Sequence, residues 1–154
     1  METNVNLDQL LDLEVELTLT RFDADTAWKL GRFLAEKARR ESLKIAILIT
    51  RSGQRAFQFD AEGTSPDNDA WLDRKTKTVL RFGHSSYYMG RKLAQSGATP
   101  QQKYGLSEAE YSFHGGAFPI RIKNAGLIGV LAVSGLTQEA DHDLAVAALR
   151  SLKS

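Results

Sequence analysis

Cysteine is absent from the 154 residues. That removes disulfide frameworks, thiolate nucleophiles and thiolate metal sites from consideration. The same absence agrees with a reducing compartment, and the cytoplasm is the expected location. Histidine is scarce: His84, His114 and His142 are the three copies. They lie far apart, without H-x-x-H or H-E-x-x-H spacing, so no metal site is expected. An excess of one charge is missing too, since 20 basic and 19 acidic residues leave a net charge of +1. With no basic tract and no RNA-binding aromatic motif, nucleic acid is not an expected partner. No apolar run approaches the ~18 residues of a membrane span. The acidic opening M-E-T-N-V-N-L-D-Q-L lacks the basic-then-apolar pattern of a secretory signal. There is no G-x-G-x-x-G, no Walker loop and no G-x-S-x-G elbow (V-S-G only), so neither a nucleotide fold nor a Ser-His-Asp hydrolase is supported.

What is present reads as one domain over residues 1–154, with 42% apolar and 25% charged residues. Asn6 to Glu14 carries leucines at helical spacing, and Leu17 to Phe22 alternates as a first strand. Asp23 to Arg40 is a helix: Asp23 or Asp25 caps it, and Ala27, Leu30, Leu34 and Ala38 form one apolar stripe. Lys44 to Thr50 is apolar on both faces, like a covered strand, and Arg51 to Gln54 turns it into a return arm, Arg55 to Phe59. After a loop, Asp67 to about Ser96 is predicted as a second long helix, with a kink near Gly83 and Ser85-Ser86. Gly97 to Gly105 reads as a loop and Leu106 to Ser112 as a helical turn.

Tyr111 to Leu136 reads as a hairpin that turns at Lys123 to Gly126. Its second arm, residues 126–134, is buried and central, and Thr137 caps a last helix ending near Leu152. The order α-β-α-β-β-α-β-β-α predicts an α/β (α+β) fold. It has one five-stranded, largely antiparallel sheet flanked by helices, PAS- or profilin-like in outline.

Two places can carry a ligand. Trp71, Arg74, Lys75 and Thr78 fall at i, i+3, i+4 and i+7 on one helical face, where an indole beside two cations suits a planar ligand with carboxylates. The alternative is that Trp71 packs at a subunit contact and the cations are solvated. The second place is the corner His114-Gly115-Gly116, which runs on to Phe118. Adjacent glycines can turn backbone N–H groups into an anion nest beside the imidazole, or can simply allow a close backbone crossing. The two places together are the expected site of a small anionic ligand. Asp141 is read as complementing the N-terminal dipole of the last helix. Trp71, Phe82, Tyr87, Tyr88 and Met89 put bulky residues on more than one side of the predicted helix, which implies a homo-oligomer, at least a dimer.

H-G-G-A-F-P-I, then G-L-I-G-V-L-A-V-S-G-L and a downstream D-H, resembles the signature of the haem-degrading-domain family, which includes the GlcG, HbpS and PduO C-terminal proteins. W-L-D-R-K-T-K-T-V-L-R-F-G-H-S-S resembles its uncharacterised stand-alone branch (UPF), and the likeness runs from about Asp23 to the C-terminus. The resemblance implies a five-stranded antiparallel sheet with helices, assembly into dimers and rings, and haem- or cobalamin-related roles in some branches. Haem is therefore the candidate cofactor, with His84, His114 or Met89 as candidate axial ligands. Two readings stay open: a non-catalytic binder of haem or a related planar anion, and an enzyme acting on that ligand. An oligomeric scaffold is a third. Without cysteine, clustered acids or a catalytic spacing, binding is favoured over catalysis.

Overall fold

The computed structural model describes residues 6–153. Helix α1 (Leu7–Glu16) starts at Asn6, whose side chain accepts the N–H groups of Asp8 and Gln9. Helix α2 (Ala24–Glu41) starts at Asp23, which accepts from Thr26 N–H, and it stops where Ser42 turns left-handed. Strands β1 (Ala46–Arg51) and β2 (Gln54–Asp60) form the first hairpin. Strands β3 (Ala117–Ile122) and β4 (Gly126–Ser134) form the second. Between the hairpins run α3 (Pro66–Phe82), α4 (Ser86–Ser96) and the short α5 (Pro100–Tyr104); α6 (Gln138–Ser151) closes the chain. Among the described residues no helix is long and apolar enough to cross a membrane.

The sheet is antiparallel throughout, in the order β2-β1-β4-β3, so β4 lies inside it. Four strands pair rather than the five predicted. Residues 17–22 contribute a single parallel bridge, Leu19 to Ile122, with Leu19 N–H donating to Arg121 O at 2.8 Å. The reason is length: Leu17 still caps α1 and Asp23 already caps α2, which leaves room for one bridge. The predicted single helix from Asp67 to Ser96 is two helices. Gly83 takes φ 75° and ends α3, and Ser85 caps α4 anew. The predicted loop from Gly97 to Gly105 contains α5, capped by Thr99.

Side chains alternate across the strands and divide the core in two. Ile47, Ile49, Phe118, Ile120, Leu131 and Val133 face α2 and α6. Ala46, Leu48, Ala117, Val130 and Ala132 face α3 through Leu72 and Val79, and the alanines let that helix sit close. A third cluster lies away from the sheet. Tyr87, Tyr88, Met89 and Leu93 of α4 pack against Leu10 of α1, Leu106 and Phe113. Of the bulky residues that implied a second subunit, Phe82, Tyr87, Tyr88 and Met89 are thus packed within the chain in the cluster that includes Leu10 of α1.

Helix α1 is pinned there by Glu14, only 5% exposed. Its carboxylate accepts from Ser85 N–H at 3.0 Å and lies 2.9 Å from His84 Nδ1. Arg121 approaches the same carboxylate and donates to Gly83 O. His142 is a further buried polar group, 4% exposed. Its ring lies 4.7 Å from that of Tyr87 and 6.1 Å from that of Phe118, and its Nδ1 has no hydrogen-bond partner. Burial pulls its pKa down from 6.5 to about 4.

The folded state therefore binds the His142 proton more weakly than the unfolded chain, and stability falls as pH drops from about 6.5 to about 4. The loss should reach about 3 kcal/mol. Urea denaturation of the wild type and His142→Phe across this window should give curves that diverge on the acid side, the wild type losing more. Parallel curves would contradict the sealed imidazole.

Candidate functional site

Where α3 begins to cover the sheet, it meets the corner that leads into β3. Ser65 and Asn68 form a capping box that fixes the start of α3, with Pro66 in its first turn. One and a half turns on, Trp71 meets His114, their rings 5.2 Å apart. The guanidinium of Arg74 lies 4.2 Å from the centre of the Trp71 ring, a cation–π geometry. Arg74 Nη1 also donates to the Glu108 carbonyl at 3.4 Å. Trp71, Arg74 and His114 are thus brought together as the sequence expected.

They line a cleft of about 250 Å³ whose far wall is α4, through Gly90 and Arg91. Gly90 is what lets α4 approach, because a Cβ there would collide with the Phe113 carbonyl. Arg91 faces the same cleft, and its Nε is buried without a hydrogen-bond partner. Ser112, Gln138 and Glu108 complete the polar lining. Two guanidiniums against one carboxylate leave the cleft net positive. Burial lowers the His114 pKa, and the positive charges of Lys75, Arg74 and Arg91 lower it further. The imidazole is therefore neutral at neutral pH, with a lone pair to offer.

Lys75 goes elsewhere. It is 3% exposed, and its Nζ donates to the Val133 carbonyl at 3.0 Å and to Asp141 Oδ2 at 3.3 Å. Asp141, 2% exposed, also accepts from Gly135 N–H and Leu136 N–H. Burial lowers the Lys75 pKa and raises that of Asp141, and each partner works against the other's shift. This pair floors a second cleft of about 240 Å³, which shares Trp71, His114 and Gln138 with the first. Arg74 and Lys75 thus stand on opposite sides of the Trp71–His114 pair.

The remaining expected residues serve packing. Thr78 is fully buried, and its hydroxyl donates to the Ser112 carbonyl at 2.7 Å. Phe118 is 1% exposed in the core on the α2 and α6 side of the sheet. The glycine corner does not present a free nest, since Gly115 N–H donates to Gln138 Oε1 at 3.0 Å. A Cβ on Gly116 would lie 2.9 Å from Lys75 Nζ and would collide with the Val133 carbonyl, so the residue is there for close approach. Of the other candidate axial ligands, His84 is engaged by Glu14 and Met89 is buried under α1. Arg91, Gln138 and Glu108 are additional to the sequence reading. For Arg91 there was a signal, because glycine inside a helix at position 90 marks a close backbone approach.

The family model described as haem degrading protein HbpS-like matches residues 22–150. A UPF0303 protein of Paraburkholderia phymatum is 47% identical over 97% of this chain and 90% of its own length. Another, of Streptomyces avermitilis, is 46% identical over 88% and 83%. Among solved structures, the Ybr137w protein superposes with a TM-score of 0.90 at 37% identity, covering 97% of this chain and 88% of that one. The PduOC:Heme complex shares the fold with a TM-score of 0.69 at 18% identity, covering 87% and 95%.

The two cations should respond unequally to removal. Lys75→Met strands a buried carboxylate and should cost about 3–5 kcal/mol in chemical denaturation. Arg74→Ala loses a partly exposed cation–π contact and two long hydrogen bonds to carbonyls, and should cost no more than about 1 kcal/mol. Equal losses would contradict this division between floor and wall.

Proposed function

This chain belongs to the HbpS-like family of haem-degrading proteins, and on that premise we propose that it is a small-molecule-binding protein. Its ligand is a planar anion, haem or a related molecule, held at the cleft between Trp71, Arg74, Arg91 and His114. The observation that carries this reading is the pairing of a flat indole wall with two guanidiniums, one having a buried Nε–H without a partner. A guanidinium fork matches a carboxylate in two hydrogen bonds, and a ring stacked on Trp71 brings that carboxylate within reach. Such bonds are stronger in a half-enclosed cleft than in open water, because the effective dielectric is lower.

The residues are chemically suited to haem. His114 would supply a neutral imidazole to iron, and the two arginines would take the propionates. Bound haem would supply iron-centred redox chemistry, and this chain would supply the His114 nitrogen, the counter-charges of Arg74 and Arg91 and the Trp71 ring wall. Neither the 250 Å³ cleft nor its 240 Å³ neighbour encloses a macrocycle alone, so haem would occupy the rim they share. Two guanidiniums beside an aromatic wall favour binding of an anion as the function of the first cleft.

Self-association into a homo-oligomer is part of the same proposal. With the α4 aromatics covered by α1, the surface that favours it is Trp28, which stands 55% exposed beside Phe57 on the β2 edge.

Haemin titrated into the protein should shift its Soret band and saturate near one equivalent per chain. Arg74→Ala should weaken that binding by about 1.5–3 kcal/mol, the range for a hydrogen bond to a charged group. A Soret band that bleaches with a product when reductant is added would make the protein an enzyme on the same ligand. An unshifted spectrum, or equal binding by Arg74→Ala, would contradict the assignment.

A further inference from the structure

The second cleft contains a group that planar-anion binding leaves unused. Lys75 Nζ lies on its floor with two of its three hydrogens donated, to Val133 O and Asp141 Oδ2. The third has no partner among the described residues. Gly116 packs directly against that nitrogen, where a Cβ would come within 2.9 Å, so the amine is open only towards the cleft. We propose that Lys75 is an amine nucleophile that forms an imine with a small hydroxy-aldehyde admitted to this cleft. The proposal does not rest on the ligand assigned to the first cleft, although the two ligands would compete for the shared rim at Trp71, His114 and Gln138.

An amine attacks a carbonyl only when it is free of its fourth bond to hydrogen, and a buried lysine gives up that proton more readily than a solvated one. Burial acts on Lys75 in that direction, and the Asp141 carboxylate is the base beside it. The step balances without any outside reagent. The ammonium passes a proton to Asp141, and the freed lone pair forms a C–N bond as the C=O π bond opens. One nitrogen proton then moves to the alkoxide, giving a carbinolamine. The Asp141 carboxyl returns its proton to that hydroxyl, which leaves as water, and the C=N bond forms. The net change is ammonium plus aldehyde to iminium plus water.

The rim selects the substrate class. Asn68 Oδ1 accepts from Ser65 N–H and Gln138 Oε1 accepts from Gly115 N–H, so both amides are oriented. Their NH₂ groups remain as donors to oxygen atoms of a bound molecule. Asp67 lies on the same rim and accepts from a hydroxyl, while Asp67 and Asp141 together disfavour an anionic substrate. Neutral amide donors, a hydroxyl acceptor and an amine floor fit a short hydroxy-aldehyde better than a keto acid. A cleft of about 240 Å³ limits it to a few carbons.

The test is reductive trapping on the intact protein. Limiting glycolaldehyde with cyanoborohydride at neutral pH, followed by peptide mapping, should label Lys75 about tenfold faster than the exposed Lys77 and Lys123. Glyoxylate, the anionic counterpart, should label Lys75 several-fold more slowly. Asn68→Ala and Gln138→Ala should each slow trapping by glycolaldehyde at Lys75, leaving Lys77 and Lys123 unchanged. The idea is overturned if, in the folded wild type, Lys75 is labelled no faster than those two surface lysines. That measurement needs no variant, so the instability expected of Lys75→Met cannot obscure it. Equal labelling by glyoxylate would overturn the substrate class.

Discussion

Moving an ammonium out of water costs several kcal/mol unless a partner is brought to it. Lys75 and Asp141 meet that condition at 3.3 Å, each almost fully buried. Much of the site's geometry follows. Asp141 lies in the first turn of α6 and also holds Gly135 and Leu136 N–H, which fixes the turn out of β4. Lys75 reaches the Val133 carbonyl on β4, which draws α3 across the sheet. Gly116 has to pass between them without a side chain. Helix α3, strand β4, the entry to β3 and α6 are therefore registered against one another around one ion pair.

With Lys75 turned inward, its neighbour Arg74 is turned outward, and Trp71 stands between the two directions. That single helical rotation makes two clefts of opposite character. The first has a cationic, aromatic lining with Arg91 facing Arg74. The second has neutral amides and carboxylates around a buried amine. His114 lies between them, held on the Trp71 ring and exposed on one side. A planar anion suits the first cleft, and a small neutral carbonyl compound suits the second. Both uses depend on the same close packing of α3 on a sheet face in which Ala46, Ala117 and Ala132 lie beside Leu48 and Val130.

Local chemistry was legible in the sequence. Asp23 and Thr137 cap the helices they were expected to cap, and residues 126–134 form an interior strand. Where prediction and structure part, the deciding interaction is long-range. Leu17 to Phe22 alternates like a strand, but the caps on either side leave it one bridge. Periodicity placed Trp71, Arg74, Lys75 and Thr78 near one another on α3 without saying where on that arc the sheet lies. The sheet takes Lys75 and Thr78 and leaves Trp71 and Arg74 at the cleft. Asp141 reads locally as a dipole partner, and its larger role depends on a lysine 66 residues earlier. Gln138 enters the site only because α6 folds back over the corner, which no local pattern encodes, and for Arg91 the one local signal is the helical glycine before it.

The central claim is that a planar anion stacks on Trp71, and the protein carries its own control because its other tryptophan, Trp28, lies on α2 beside Phe57. Nitrogen-edited NMR resolves the two indole N–H signals separately. Titration with 2-naphthoate, a flat aromatic carboxylate, should move the Trp71 signal along a saturable curve and leave the Trp28 signal in place. A Trp71 signal that stays still, or two signals that drift together without saturating, would contradict the account.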